Sequence, residues 1–151
     1  MTIADSEPVK KVRKALKDAG LADNVVELDA PMENAADTAK ALDTEPGAVV
    51  TSRVYAIGKR MVLVLVTGDH ECLEASLAAA FFLEGAVQVP SDAEVRGITG
   101  FTADCVSLVG FPHKLPTAID RSLKRFKHLY AVAGDPQCVF KTSVTDLKRL
   151  T

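Results

Sequence analysis

The sequence predicts a mixed α/β domain. Two runs rich in β-branched residues, about 48–57 and 61–66, are apolar almost throughout, and segments with helical spacing of apolar residues lie around them in no regular alternation. Size agrees with this: 151 residues, 48% hydrophobic and 25% charged, make one soluble globular domain, 1–151, too short for two and too apolar for disorder.

Ser6 and Pro8 precede Val9, Val12 and Leu16 at helical spacing, with Gly20 behind them. The first element is therefore an amphipathic helix whose outer face carries Lys10, Lys11, Arg13, Lys14 and Lys17. Residues 25–28 are strand-like, and Pro31 introduces a second helix over about 35–42, stopped by the turn at 44–47. The two central runs follow, joined by the short loop Gly58-Lys59-Arg60; their lack of polar alternation predicts strands covered on both faces. Residues 73–83 have the length and alanine content of a buried helix, and 86–89 read as a strand. Ser91 and Glu94 form a capping box opening a short helix that ends at Gly97 or Gly100. Beyond it, 106–109 read as a strand before the turn Gly110-Phe111-Pro112, and 117–119 are a short apolar piece. Residues 121–127 form a charged helical turn. Strands at 129–133 and 138–141 flank the turn Gly134-Asp135-Pro136, and Ser143 caps a last helix holding Leu147 and Leu150.

Composition removes several functions. Eighteen Lys and Arg against twenty Asp and Glu give a net charge of −2, which excludes a globally basic nucleic-acid binder but leaves room for a local patch. Aromatics are 5% with no Trp, a poor basis for a base-stacking platform. Three cysteines, Cys72, Cys105 and Cys138, behind a polar N-terminus without a signal-peptide pattern read as a reduced, cytoplasmic protein. The run 61–66 is far too short to span a bilayer.

Asp69-His70-Glu71-Cys72 gathers three ligand types but matches no closed zinc site, so no metal is expected. A cysteine nucleophile would need His70, His113 or His128 beside it, and nothing local marks a pair. Neither a P-loop nor a G-x-G-x-x-G turn occurs, so no nucleotide cofactor is implied. The first helix and the segment 121–128 could join into a basic patch, although two solvated helix faces are the plainer reading. The string 100–120, GFTADCVSLVGFPHKLPTAID, places a strand between Gly-rich and Pro-rich turns. Such a segment either lines a pocket with backbone groups or is a plain hairpin connection.

The order of motifs carries a resemblance. A basic first helix is followed by Val49-Val50-Thr51-Ser52-Arg53-Val54-Tyr55, a hairpin, and Val64-Leu65-Val66-Thr67-Gly68-Asp69-His70. Then come Thr99-Gly100-Phe101, Val106-Ser107-Leu108-Val109-Gly110, Leu115-Pro116-Thr117-Ala118-Ile119-Asp120 and Leu129-Tyr130-Ala131-Val132-Ala133-Gly134. From about Val9 to Leu150 this resembles the YbaK/ProX family of aminoacyl-tRNA deacylases, related to the editing domain of prolyl-tRNA synthetase. The resemblance implies a mixed, largely antiparallel sheet curled around a pocket and surrounded by helices. It implies hydrolysis of the ester of a mischarged tRNA, tRNA(Pro) among the candidates, without a cofactor. The partners implied are the acceptor end of an aminoacyl-tRNA and, weakly, a tRNA synthetase, with no DNA and no membrane.

On that footing Thr51 and His113 are the catalytic candidates, and Thr51 and Ser52 contact the terminal ribose or acyl group. Backbone amides around Val106, Ser107 and Gly110 hold the carbonyl, Val132 and Val139 make the pocket apolar, and Lys10, Lys14, Arg121 and Lys124 meet the acceptor stem. The chain departs from the family where Thr51 stands at a position usually held by Lys, and where Asp104 to Gly110 replaces a Gly-Gly-Val-x-Pro-x-Gly loop. A non-catalytic module that binds aminoacyl-tRNA or a small ligand on the same fold is the alternative.

Overall fold

The computed structural model describes residues 5–21, 24–32, 34–69, 76–102, 106–112 and 114–151. Along the chain run α1 (Glu7–Asp18), β1 (Val26–Glu27), α2 (Ala35–Ala41), β2 (Val49–Ile57), β3 (Arg60–Thr67), α3 (Leu77–Ala80) and β4 (Val87–Gln88). After them come α4 (Asp92–Thr99), β5 (Thr117–Ile119), β6 (Leu129–Val132), β7 (Cys138–Thr142) and α5 (Val144–Leu150). Two 3-10 turns, Pro46–Ala48 and Arg121–Arg125, precede β2 and β6.

The strands form one sheet in the order β1-β7-β6-β2-β3-β5, with β4 also pairing β2. β2 pairs β6 and β3 pairs β5 in parallel; the other pairings are antiparallel. At the centre β2 and β3 pair from Val50 with Thr67 to Ile57 with Arg60, turning through Gly58 at φ 59°.

Both faces of this hairpin are covered, which explains its unbroken apolar sequence. Val50, Val54, Leu63 and Leu65 pack in the larger core with Val9, Val12 and Leu16 of α1 and with Leu147 and Leu150 of α5. On the opposite face Tyr55, Ile57, Val62, Val64 and Val66 pack with Leu77. Burying each such aliphatic side chain contributes about 1.5–3 kcal/mol.

Helix ends follow local chemistry. Ser91 and Glu94 make the reciprocal capping box, and α4 ends at Gly100 in the left-handed region, φ 81°, leaving Gly97 inside the helix. The Ser143 hydroxyl accepts the Asp146 N–H. α2 begins at Ala35, where the sequence placed it, and its N-cap is Asn34, whose Oδ1 accepts the Asp37 N–H at 2.8 Å. Ser6 occupies the N-cap of α1 without a side-chain cap bond.

Two expected elements differ. Residues 106–109 are not a strand, although all four are buried. Their apolar character reports burial in the larger core, not strand pairing. Of the helix expected over 73–83, the described part keeps only Leu77–Ala80, because Phe82 turns to φ 55° and stands 95% exposed.

A polar knot fixes the end of β3 against the start of β2. The buried Thr67 hydroxyl donates to the Gly47 carbonyl at 2.6 Å, while the Arg125 guanidinium reaches Asp69 at 3.0 Å and Thr67 Oγ1 at 3.1 Å. Asp120 accepts the N–H groups of Thr67 and Ser122, tying the Arg121–Arg125 turn to the same corner. Small residues permit this closeness: a Cβ on Gly68 would collide with the Pro46 carbonyl and lie 2.7 Å from the Ala35 methyl.

Two glycines should therefore answer a methyl group in opposite ways. Gly68→Ala is expected to lower stability by about 1–3 kcal/mol through overpacking. Gly97→Ala, whose added carbon meets nothing within 4 Å, should raise it by about 0.5–1 kcal/mol by favouring the helix. Urea melts of both variants check the pair; equal signs would contradict the packing described.

Candidate functional site

The direction of the backbone groups along β2 decides where a pocket can form. The Leu63 N–H donates to the Pro116 carbonyl and the Asp120 N–H to the Leu65 carbonyl, both at 2.8 Å, so these two residues of β3 turn their backbone groups toward β5. Val62, Val64 and Val66 then face β2, where they meet Tyr55, Arg53 and Thr51. By the same alternation Val50, Ser52, Val54 and Ala56 present their N–H and C=O groups to the other edge of β2.

That other edge is only partly covered. β6 pairs with Val49 and Val50, and β4 with Ala56 and Ile57. Continuing the parallel ladder would send the Ser52 N–H to the Val132 carbonyl. That carbonyl instead accepts the Ser107 hydroxyl at 2.9 Å, and the ladder stops. The Ser52 hydroxyl is itself buried and finds no partner among the described residues, a costly state unless a ligand satisfies it.

A pocket of about 150 Å³ opens at this break. Thr51 and Ser52 line it from β2, Val132 and Val139 from β6 and β7, and Val106 from the buried segment. Met32, Asn34, Ala35, Thr38, Val49, Val50 and Pro136 complete it. None of the described lining residues carries an ionisable side chain. The wall is mostly aliphatic, so the pocket suits a small uncharged group and offers hydrogen bonds at Ser52, Thr51 and the backbone.

Of the residues singled out in the sequence, Thr51, Ser52, Val106, Val132 and Val139 share this pocket. Ser107 does not line it; its hydroxyl is spent on the Val132 carbonyl behind the wall. Gly110 lies in a separate cavity together with Lys14. His113 is outside the described residues, as are His70, Cys72 and Cys105.

The four cations divide. Lys10 is exposed on α1, and Lys14 bonds Asp18 at 2.9 Å, which raises its pKa above the ordinary lysine value. Arg121 and Lys124 are exposed on the turn that Arg125 fastens to Thr67, and Thr67 pairs with Val50. This pair therefore stands at the pocket end of β2. Sequence reading missed Met32, Thr38 and Pro136, which carry no local signal. Asn34 announces itself only as a helix cap.

Beside the pocket, Cys138 is fully buried in β7. Burial, and then the charges of Asp135 and Glu27, push its thiol up to about 11.

The mixed sheet thus carries a small pocket without a charged lining among the described residues, at the point where a parallel pair is interrupted. The sequence profile of the aminoacyl-tRNA editing domain matches residues 29–150, and the chain belongs to that family. It is 28% identical over 94 residues to a proline–tRNA ligase of Lysinibacillus sphaericus (strain C3-41), covering 62% of this chain but only 16% of that ligase. Among solved structures it is similar to a candidate trans-editing enzyme for prolyl tRNA synthetase, with 30% identity, a TM-score of 0.87 and coverage of 97% and 92% of the two chains. A scaffold used for computational grafting of linear epitopes gives a TM-score of 0.89 at 29% identity, covering 97% and 93%. Hypothetical protein APE2540 shares the fold, with a TM-score of 0.83 at 22% identity over 93% of each chain. Among the described residues no helix is long and apolar enough to cross a membrane.

Ser107→Ala should cost about 1–3 kcal/mol, because the Val132 carbonyl loses its partner inside the wall. A urea midpoint unchanged from wild type would contradict that role. Cys138 gives a pH dependence of definite sign. The folded thiol keeps its proton to about 11 while an unfolded one loses it near 9.0, so the unfolded state binds fewer protons between these values. Stability falls as pH rises through that window, by up to about 1.4 kcal/mol per pH unit. Cys138→Ala should show a shallower fall between pH 8.5 and 10.5; identical slopes would contradict the assignment.

Proposed function

We propose that this chain is an aminoacyl-tRNA deacylase acting in trans, and that the Thr51–Ser52 pocket receives the aminoacyl ester. The observation that carries this is the buried Ser52 hydroxyl, without a partner among the described residues, in a pocket with no charged described lining where the β2–β6 ladder ends. Preorganised donors of this kind stabilise the oxyanion that forms when an ester carbonyl is attacked, and each can supply about 3–4 kcal/mol.

The reaction is simple in its balance. A water oxygen bonds to the ester carbonyl carbon, and the negative charge that develops on the carbonyl oxygen is held by Ser52. The bond to the ribose oxygen then breaks, that oxygen takes the proton given up by the attacking water and becomes a free hydroxyl of the tRNA, and the amino acid leaves. The substrate's own amino group or ribose hydroxyl is one candidate to carry the proton. His113 remains a candidate for that task from the sequence alone.

Thr51 would bond the terminal ribose or the acyl group. Val106, Val132 and Val139 admit a small uncharged side chain and exclude a charged one, since an unpaired charge there would lose its solvation. Ser107 and Gly110 serve the carbonyl only indirectly, through the segment that carries Val106. For the acceptor stem, Arg121 and Lys124 are the cations beside the pocket end of β2, with Lys10 and Lys14 contributing from α1. The similarity to a proline–tRNA ligase and to a candidate trans-editing enzyme for prolyl tRNA synthetase supports tRNA(Pro) as substrate, and weak association with the synthetase.

One observation favours a second reading, a module that binds without hydrolysis. Thr51 stands where the family usually has Lys, and no described cation replaces it in the pocket. A hydroxyl hydrogen-bonds but supplies no charge.

Incubation of the purified chain with tRNA(Pro) mischarged with Ala or Cys, and with other mischarged tRNAs, separates the readings. Hydrolysis with turnover is expected, and Ser52→Ala should lower kcat by about 100-fold without lowering stability, since it removes a buried hydroxyl that has no partner among the described residues. Saturable tRNA binding with no hydrolysis at excess protein would establish the binding module instead. Thr51→Lys gaining activity from that state would assign the loss to this position.

A further inference from the structure

A second cavity, of about 510 Å³, lies apart from the Thr51 pocket. Four cations line it, Lys11, Lys14, Lys114 and Arg149, against the one carboxylate side chain of Asp18. Asp18 is already bonded to Lys14, and the Arg149 guanidinium is committed to the Ala19 carbonyl at 2.9 Å. Lys11 and Lys114 are exposed and have no partner among the described residues.

Beneath these charges the lining is apolar: Leu63, Leu108, Phe111 and Leu115. Phe111 is steadied edge-on by the buried Phe101 at 6.0 Å between ring centroids. Gly110, at φ 87°, brings this loop against α1, where a Cβ would lie 3.3 Å from the Lys11 carbonyl. The cavity is thus walled by packed elements, and its size falls in the range of small-molecule sites.

The two chemistries restrict what fits. A phosphodiester backbone would use the lysines but gain nothing from leucine and phenylalanine beneath them. A neutral apolar molecule would use the floor but not the unpaired charges. We infer that the cavity binds a small amphipathic organic anion, its acyl or aryl body on Leu63, Leu108 and Phe111 and its carboxylate or phosphate head held by Lys11 and Lys114. The competing account is that the lysine stems merely cover the apolar floor while their ammonium groups stay in water. The inference is independent of whether the Thr51 pocket hydrolyses an ester.

Titration of the full chain with decanoate, octyl phosphate and 1-decanol, each below its aggregation limit, followed by amide NMR, tests it. Saturable shifts are expected with both anions at Ala15, Ala19, Leu63, Phe111 and Leu115, and the tighter of the two identifies the preferred head group. Decanol should bind at least tenfold more weakly. The double variant Lys11→Gln, Lys114→Gln should weaken decanoate by about tenfold, with the rest of its spectrum unchanged. Absence of saturable shifts at these amides, equal affinity for decanol, or an unaltered Kd in the double variant would overturn the proposal and leave the lysines as a cover for the floor.

Discussion

The pocket depends on a parallel ladder that stops after two residues. β2 and β6 pair at Val49 and Val50 and no further, and the carbonyl that would carry the next bond is taken by Ser107. A backbone N–H deprived of its partner inside a sheet is costly, so such positions are rare unless another group satisfies them. Where the ladder ends, the buried Ser52 hydroxyl has no partner among the described residues, a cost of the same kind. Stability and ligand capacity are therefore opposed at this residue.

Keeping the break open requires that everything around it be fixed. The β2–β3 hairpin is held from both faces by apolar packing, so it cannot slide to recover the lost bond without turning its side chains to the wrong faces. The Thr67, Asp69 and Arg125 knot anchors the same end of the hairpin to Gly47 and to the basic turn. Glycine at 47 and 68 is a consequence of that anchoring, because backbone and side-chain atoms come within contact distance of where a Cβ would be. The basic turn is positioned by this knot, and Arg121 and Lys124 owe their place near the pocket to it.

What was legible in the sequence was local. The caps at Ser91 and Ser143, and the two-faced burial of the central hairpin, follow from residues within a few positions of each other. The pairing of Thr51 and Ser52 with Val106, Val132 and Val139 was legible only through the resemblance, because four separate chain segments meet there. Gly110 misled for a related reason: the chain from Val106 to Gly110 passes from one cavity to the other, so proximity in sequence did not mean a shared site. The apolar run 106–109 imitates a strand because burial in a core selects the same residues as strand pairing does. Nothing in one sequence distinguishes the two until it is known whether a neighbour has free backbone groups to offer.

Charge shows how misleading an average can be. A net −2 argued against nucleic acid, yet Arg121 and Lys124 are gathered at one end of β2, and Lys11, Lys14, Lys114 and Arg149 line a cavity. Between them the Thr51 pocket has no charged lining among the described residues. An anionic chain can be held at its edge by cations while the neutral group at its end enters a site that rejects charge. Cations inside that pocket would favour ionised ligands over a neutral ester. On the proposed reading, donors fixed by the fold would recognise the carbonyl, because no described lining residue is charged. Binding and chemistry would then be separable: the cations would govern dependence on salt, whereas Ser52 would govern the response of the carbonyl.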